Sequence, residues 1–142
     1  YSLIKGGGKV LQVIMASDNS QRSTTSTSFG THSHTCSVDI TPSATTSKIL
    51  CLYSTNTHYN QGGSGAITIF RDSTNLGDST HGLAWINADP SGYATAITHL
   101  DSPSSTSEIT YTAQFKATSG GGSLYVGHNA NLSQLICMEI GA

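Results

Sequence analysis

The sequence predicts an all-β protein, an antiparallel β-sandwich or jelly roll of about 8–10 strands. Short apolar or alternating runs recur along the 142 residues, and no segment holds a helical period. Clusters of Ser, Thr, Gly, Asn and Asp separate these runs. Only 10% of the residues are charged, whereas Ser and Thr together fill 41 positions. We expect residues 9–142 to form a single sandwich domain and residues 1–8 to form a linker or an exchanged strand.

Nine segments have the length and composition of strands. They are Lys9–Ala16, Thr35–Ile40, Lys48–Ser54, Ala66–Arg71, Gly82–Ile86, Tyr93–Leu100, Glu108–Ala117, Ser123–Gly127 and Gln134–Ile140. The polar stretch Ser20–Ser28 is either an exposed loop or a threonine-rich edge strand. In the seventh segment, period two places one set of side chains on the buried face: Ile109, Tyr111, Ala113 and Phe115.

Several function classes find no support in this composition. A net charge of −2 gives no electrostatic footprint for nucleic acid. No apolar run reaches the roughly 18–20 residues of a membrane helix, so we expect no membrane insertion. Neither GxSxG nor HExxH occurs, and the few carboxylates lie in turn-like contexts. We therefore expect no enzymatic activity and no required cofactor.

Three cysteines, Cys36, Cys51 and Cys137, cannot all pair within one chain. Each lies in an apolar strand segment, which favours buried free thiols over a single disulfide.

The C-terminal segment Leu135–Ile140 is apolar on both faces except at Glu139. A strand of this kind is covered by the core on one side and by a neighbour on the other. We therefore predict an oligomer interface at Leu135, Cys137 and Glu139, joined by Leu3 and Ile4 of the N-terminal segment.

His32, His34 and Cys36 fall on one face of an extended segment. Two imidazoles at i and i+2 can share a metal ion, and three chains around an axis would supply six nitrogens. The alternative is a polar loop that leads into a strand, with both histidines as ordinary exposed or interface groups. We therefore hold an interchain metal ion at His32 and His34 as an open possibility.

Several segments together resemble a recurring domain of bacteriophage virion proteins, of the kind labelled tail-fibre-like, frequent in phages of aquatic bacteria including cyanophages. The segments that carry the resemblance are Gly8–Val13, Ser37–Ser43, Ser47–Leu50, Phe70–Gly77, Leu100–Pro103, Thr110–Tyr111 and Ile136–Ile140. The resemblance implies a compact, trimeric β-sandwich on a virion surface, outside the cell, in contact with other virion proteins. The His32–Cys36 stretch departs from the family pattern. Some phage fibres hold iron with such histidine pairs on a trimer axis, but that is an analogy across folds.

Taken together, these features lead us to expect a non-enzymatic virion structural protein, the receptor-facing module of a tail or head fibre, that contacts host-surface polysaccharide. Aromatic and amide side chains in loops are the candidate glycan-binding groups. They are Tyr59, Asn60, Trp85, Asn87, Tyr93, His128, Asn129 and Asn131. The alternatives are a capsid-decoration protein and the repeating subunit of an extracellular filament assembled by strand addition. A carbohydrate-binding module or depolymerase is a weaker option, because no paired acids are placed for the chemistry.

Overall fold

The computed structural model describes residues 8–30, 34–87, 92–119 and 121–141, which form two antiparallel β-sheets. The strands, numbered along the chain, are β1 (Val10–Asp18), β2 (Arg22–Thr24), β3 (His34–Ile40), β4 (Lys48–Tyr59), β5 (Ser64–Arg71), β6 (Thr74–Asn75), β7 (Ala84–Asn87), β8 (Tyr93–Asp101), β9 (Ile109–Ser119), β10 (Leu124–Val126) and β11 (Ser133–Ile140). In the described part of the chain, a 3₁₀ turn, His128–Ala130, lies between β10 and β11.

The connectivity of the two sheets is that of a jelly roll. In the first sheet the strand order is β1-β11-β4-β8. Toward one end of this sheet, β10 takes the place of β11 beside β4, and β2 takes the place of β1 beside β10. The second sheet runs β3-β9-β5, and β6 and β7 lie one after the other along the free edge of β5. The chain crosses repeatedly from one sheet to the other, so the β-sandwich predicted from the sequence is confirmed.

The core lies between the inner faces of the two sheets. The first sheet contributes Ile49, Cys51, Tyr53, Leu135 and Cys137, and the second contributes Val38, Ile40, Ile69, Tyr111 and Phe115. All four residues assigned to the buried face of the seventh segment are at most 4% exposed. Period-two alternation therefore identified the buried face correctly.

All nine predicted strands are present, with shifted ends. The largest difference is in β4, which continues to Tyr59 because Thr57 and Tyr59 keep the same inward phase and pair with β10. The polar stretch Ser20–Ser28 contains the short edge strand β2. A strand was missed at Thr74–Asn75, where a two-residue pairing with β5 lies inside a segment that reads as a turn.

Two polar side chains on the outer face of β9 are buried instead of exposed to solvent. Gln114 and Lys116 point away from the core, yet both are buried. The Lys116 ammonium donates to the Ser79 carbonyl at 2.8 Å and lies 4.8 Å from the centre of the Phe29 ring. The segments that precede β3 and β7 cover this part of the second sheet, and strand alternation cannot reveal such cover.

The interface predicted on β11 needs correction. Leu135, Cys137 and Glu139 are each at most 1% exposed, because all three point into the core of their own chain. They therefore do not supply a surface to a second subunit. The β11 side chains on the outer face are those of the opposite phase, Ile136 and Met138. Leu3 and Ile4 lie outside the described residues.

Candidate functional site

One end of the sandwich brings together chain reversals from both sheets. At this end β4, β7 and β9 end, and β5, β8 and β10 begin. The register shows this: Ser64, the first residue of β5, pairs with Asn87 and Ser119, and Leu124, the first residue of β10, pairs with Tyr59. We call this the loop end. A jelly roll collects its connections in this way, so residues far apart in sequence meet on a rigid scaffold.

Three rings form a cluster at the loop end, on the outer side of the first sheet. The His58 and His128 imidazoles are stacked, with centroids 4.4 Å apart and an interplanar angle of 21°. The Tyr125 ring lies 5.5 Å from that of His58 and 6.2 Å from that of His128. His58 extends from β4, Tyr125 from β10 and His128 from the turn after β10. We call these three residues the ring cluster.

The ring cluster is half-buried. The Nδ1 atoms of His58 and His128 are buried and have no hydrogen-bond partner among the residues that the structure describes. Burial, together with the neighbouring His58, lowers the pKa of His128 below its usual 6.5. His128 is therefore neutral at neutral pH, which allows the two rings to stack without charge repulsion.

Asparagine side chains surround the ring cluster. Asn60 donates to the Tyr125 hydroxyl at 3.3 Å and accepts from the Ser123 amide at 2.8 Å. Asn131 donates to the His128 carbonyl at 2.7 Å. Asn129 has a positive φ of 57°, and its backbone N–H donates to Gln21 Oε1 at 3.0 Å. The structure thus places Asn60, His128, Asn129 and Asn131 of the predicted glycan-binding group at one end of the molecule.

Tyr59, by contrast, belongs to the core. Its side chain is 1% exposed, and its hydroxyl donates to the Gly122 carbonyl at 3.0 Å. A ligand cannot reach this ring, so Tyr59 anchors the loop end and does not contact a glycan. The sequence could not separate it from an exposed tyrosine, because β4 was predicted to end at Ser54.

Asn87 and Tyr93 flank the crossing from the second sheet to the first. The Tyr93 hydroxyl donates to the Asn87 carbonyl at 2.8 Å, which joins the two sheets at the loop end. Trp85 lies on β7 of the second sheet and is 56% exposed. Its ring packs beside that of His81, with the ring centroids 4.6 Å apart. It is a separate exposed aromatic and does not belong to the ring cluster.

His58 and Tyr125 were missed by sequence reasoning. A detectable signal was present, because the alternation of β4 continues past Ser54 and puts His58 in the outward phase with Leu50 and Leu52. The approach of His58 to His128 depends on the pairing of β10 with β4, which no local pattern specifies.

The predicted metal ligands lie largely beyond what is described. His32 is outside the described residues, and of His34 only the backbone is described, as the first residue of β3. Among the described side chains, no group of three or more His, Cys, Asp or Glu is placed to hold a metal ion.

The outer face of the first sheet carries an apolar area away from the loop end. One row crosses the sheet as Val13, Met138, Leu50 and Leu100, which are register partners on four adjacent strands. The next row contains Met15, Ile136 and Leu52 and ends at Thr98. Val13 and Leu100 are 56% exposed and Met15 is 55% exposed. We call the seven apolar residues of these two rows the apolar face.

Comparisons with known proteins give a structural likeness only. No protein-family model and no curated protein sequence matches the chain. Among solved structures, it is similar to VP2 in the crystal structure of the infectious bursal disease virus subviral particle, with a TM-score of 0.39 and 16% sequence identity. The match covers 94% of this chain and spans 38% of the length of that one. Within the described residues, no helix combines the length and apolar character needed to cross a membrane.

Proposed function

We propose that this protein is a non-enzymatic structural module of a virion, the receptor-facing part of a tail or head fibre, that binds host-surface polysaccharide through its loop end. The observation that carries the proposal is the ring cluster. His58, Tyr125 and His128 come from three elements and present half-buried rings beside exposed asparagines. Aromatic rings combined with a few well-placed polar groups are common in small-molecule sites.

The chemistry of the ring cluster suits a neutral saccharide. Ring faces stack against the C–H surface of a pyranose, while amide groups bond to its hydroxyls. His128 is kept neutral because burial lowers the pKa of its imidazole. The exposed side chains of Asn60, Asn129 and Asn131 add donors and acceptors without net charge.

The virion role rests on the sequence resemblance to phage structural domains and on the jelly-roll connectivity, which is shared by capsid proteins and lectins. Fold alone does not specify function, so the test must address the site.

The experiment is a binding screen of the purified protein against an array of bacterial surface polysaccharides. We expect binding that the substitution Tyr125→Ala or His128→Ala reduces at least tenfold. His81→Ala is the matched control, because His81 contacts an exposed aromatic, Trp85, on the other sheet. The variants should keep the far-ultraviolet circular dichroism of the wild type.

Two results would overturn the proposal. One is an array that stays blank with folded protein, which would favour the capsid-decoration or filament role instead. The other is binding that persists in both loop-end variants, whether or not His81→Ala changes it.

A further inference from the structure

The apolar face is a continuous apolar surface that crosses four strands of the first sheet. Its two rows place seven apolar side chains side by side on four strands. Val10 and Leu11, which are 55% and 49% exposed, lie beside these rows at the start of β1. Apolar side chains scattered singly over a surface are ordinary, whereas a contiguous exposed apolar area marks an interaction site.

The composition of the apolar face restricts what covers it. Within the two rows there is no charged side chain, so an acidic or basic partner finds nothing to pair with. Both methionines of the chain, Met15 and Met138, lie in the rows. Methionine packs adaptably against other apolar side chains, which suits contact with a similar surface.

We propose that the apolar face is the surface through which copies of this chain pack against one another in a homo-oligomer. An uncharged apolar surface can meet its own copy without bringing like charges together. Val13, Met15 and Leu100 are each more than half exposed in the single chain, so contact with a second copy would remove this apolar area from water. The inference extends the proposed function, since it states how the fibre module assembles.

The arrangement also leaves the ring cluster free. His58 and the apolar residues Leu50 and Leu52 share the outward phase of β4, but Ser54 and Asn56 separate them. Ser54 pairs with Gln134 and Ala96, and Gln134 pairs with Ser17, so a row of polar or small side chains borders the apolar face. Packing of the apolar faces therefore occupies a different part of the sheet from the candidate glycan site.

The test is the mass of the full chain in solution, measured by light scattering or sedimentation. We expect two or three times the 14.8 kDa of the chain. Val13→Glu and Leu100→Glu each place a carboxylate in the apolar face, from different strands, and both should yield monomers. Ser17→Glu is the matched control: Ser17 is an exposed residue of β1 in the same outward phase as Val13, beyond the two rows, and its substitution should leave the mass unchanged.

A monomeric wild-type protein at tens of micromolar would overturn the inference, because the face would then belong to a different partner. An assembly of any size that survives both glutamate substitutions would overturn it as well. Thermal unfolding of each variant shows whether it is folded, and Val13→Thr, which removes apolar area without adding charge, should weaken the assembly if a glutamate variant fails to fold.

The test of the oligomer interface can fail or succeed independently of the test of polysaccharide binding. Tyr125→Ala and His128→Ala test polysaccharide binding on the array, whereas Val13→Glu and Leu100→Glu test assembly through the mass in solution. A monomeric protein that still binds polysaccharide would reject only the interface, and an oligomer that binds none would reject only the receptor role.

Discussion

The Tyr111 hydroxyl donates a 2.6 Å hydrogen bond to Asp101 Oδ2, and this bond joins the two sheets at the end opposite the ring cluster. Tyr111 lies on β9 of the second sheet and Asp101 on β8 of the first. Arg71 of β5 donates to both carboxylate oxygens of Asp101, at 3.0 and 3.1 Å. Burial and the adjacent Asp101 carboxylate raise the pKa of Tyr111 above its usual 10.0. The hydroxyl therefore stays protonated, and can donate, at neutral pH.

Tyr111→Phe should therefore destabilise the fold. The substitution removes the donor and leaves a buried carboxylate short of one hydrogen bond, at a cost of about 1–3 kcal/mol in the free energy of unfolding. Urea denaturation measures the loss. Tyr125→Phe is the control, because the Tyr125 hydroxyl makes only a 3.3 Å contact with the exposed Asn60 and its removal should cost less. Equal midpoints for wild type and Tyr111→Phe would contradict the assignment.

Glu139 should make stability depend on acidity. Its carboxylate accepts hydrogen bonds of 2.6–2.7 Å from Ser43, Ser47 and Gln12. Burial raises the pKa of Glu139, but these hydrogen bonds outweigh it and lower the pKa from 4.5 to about 2. The stabilisation is therefore complete above pH 4.5 and is lost as the pH falls toward 2.

Denaturation at a series of pH values tests this prediction. Glu139→Gln should lower stability at neutral pH by about 1–3 kcal/mol and reduce the loss of stability on acidification. Asp39→Asn, at an exposed carboxylate, is the control. An acid profile that Glu139→Gln leaves unchanged would rule out this role for Glu139.

The three cysteines should be unreactive in the folded protein. Cys36, Cys51 and Cys137 are buried and none of the three forms a disulfide, as their apolar context in the sequence predicted. Cys51 and Cys137 are register partners with sulfur atoms 3.8 Å apart, and the hydrogen bond between the two thiols, together with burial, raises the pKa of Cys51. Because the thiolate is the nucleophile, labelling by iodoacetamide should be slow until denaturant is added. Labelling of the native protein at the rate of a free thiol would disprove this.

Gly82 should tolerate no side chain. Its φ is +65°, and a Cβ atom built there would lie 2.4 Å from the Ile67 carbonyl oxygen. We expect Gly82→Ala to lower the melting temperature by several degrees, since 1 kcal/mol corresponds to about 3–5 °C for a domain of this size. Gly62→Ala is the matched control, because nothing lies within 4 Å of the Cβ position and φ is not positive. Similar melting temperatures for the two variants would refute the strain at Gly82.

Local pattern in the sequence determined the strands and their buried faces. Alternation placed Ile109, Tyr111 and Phe115 in the core because a strand repeats every two residues whatever its neighbours are. It failed where contacts from distant segments decide the outcome. Lys116 alternates outward yet is buried under Phe29, and Glu139 has the phase of a core residue although its charge indicates a surface position.

Only the tertiary structure decided which residues form the candidate site and the apolar face. The ring cluster requires β10 to pair with β4, which brings His58 against His128 across 70 positions of sequence. The apolar face requires four strands in one register, so that Val13, Met138 and Leu50 form a continuous row. Hydrophobic period is a property of each segment alone, whereas the order and register of strands follow from the packing of the whole core.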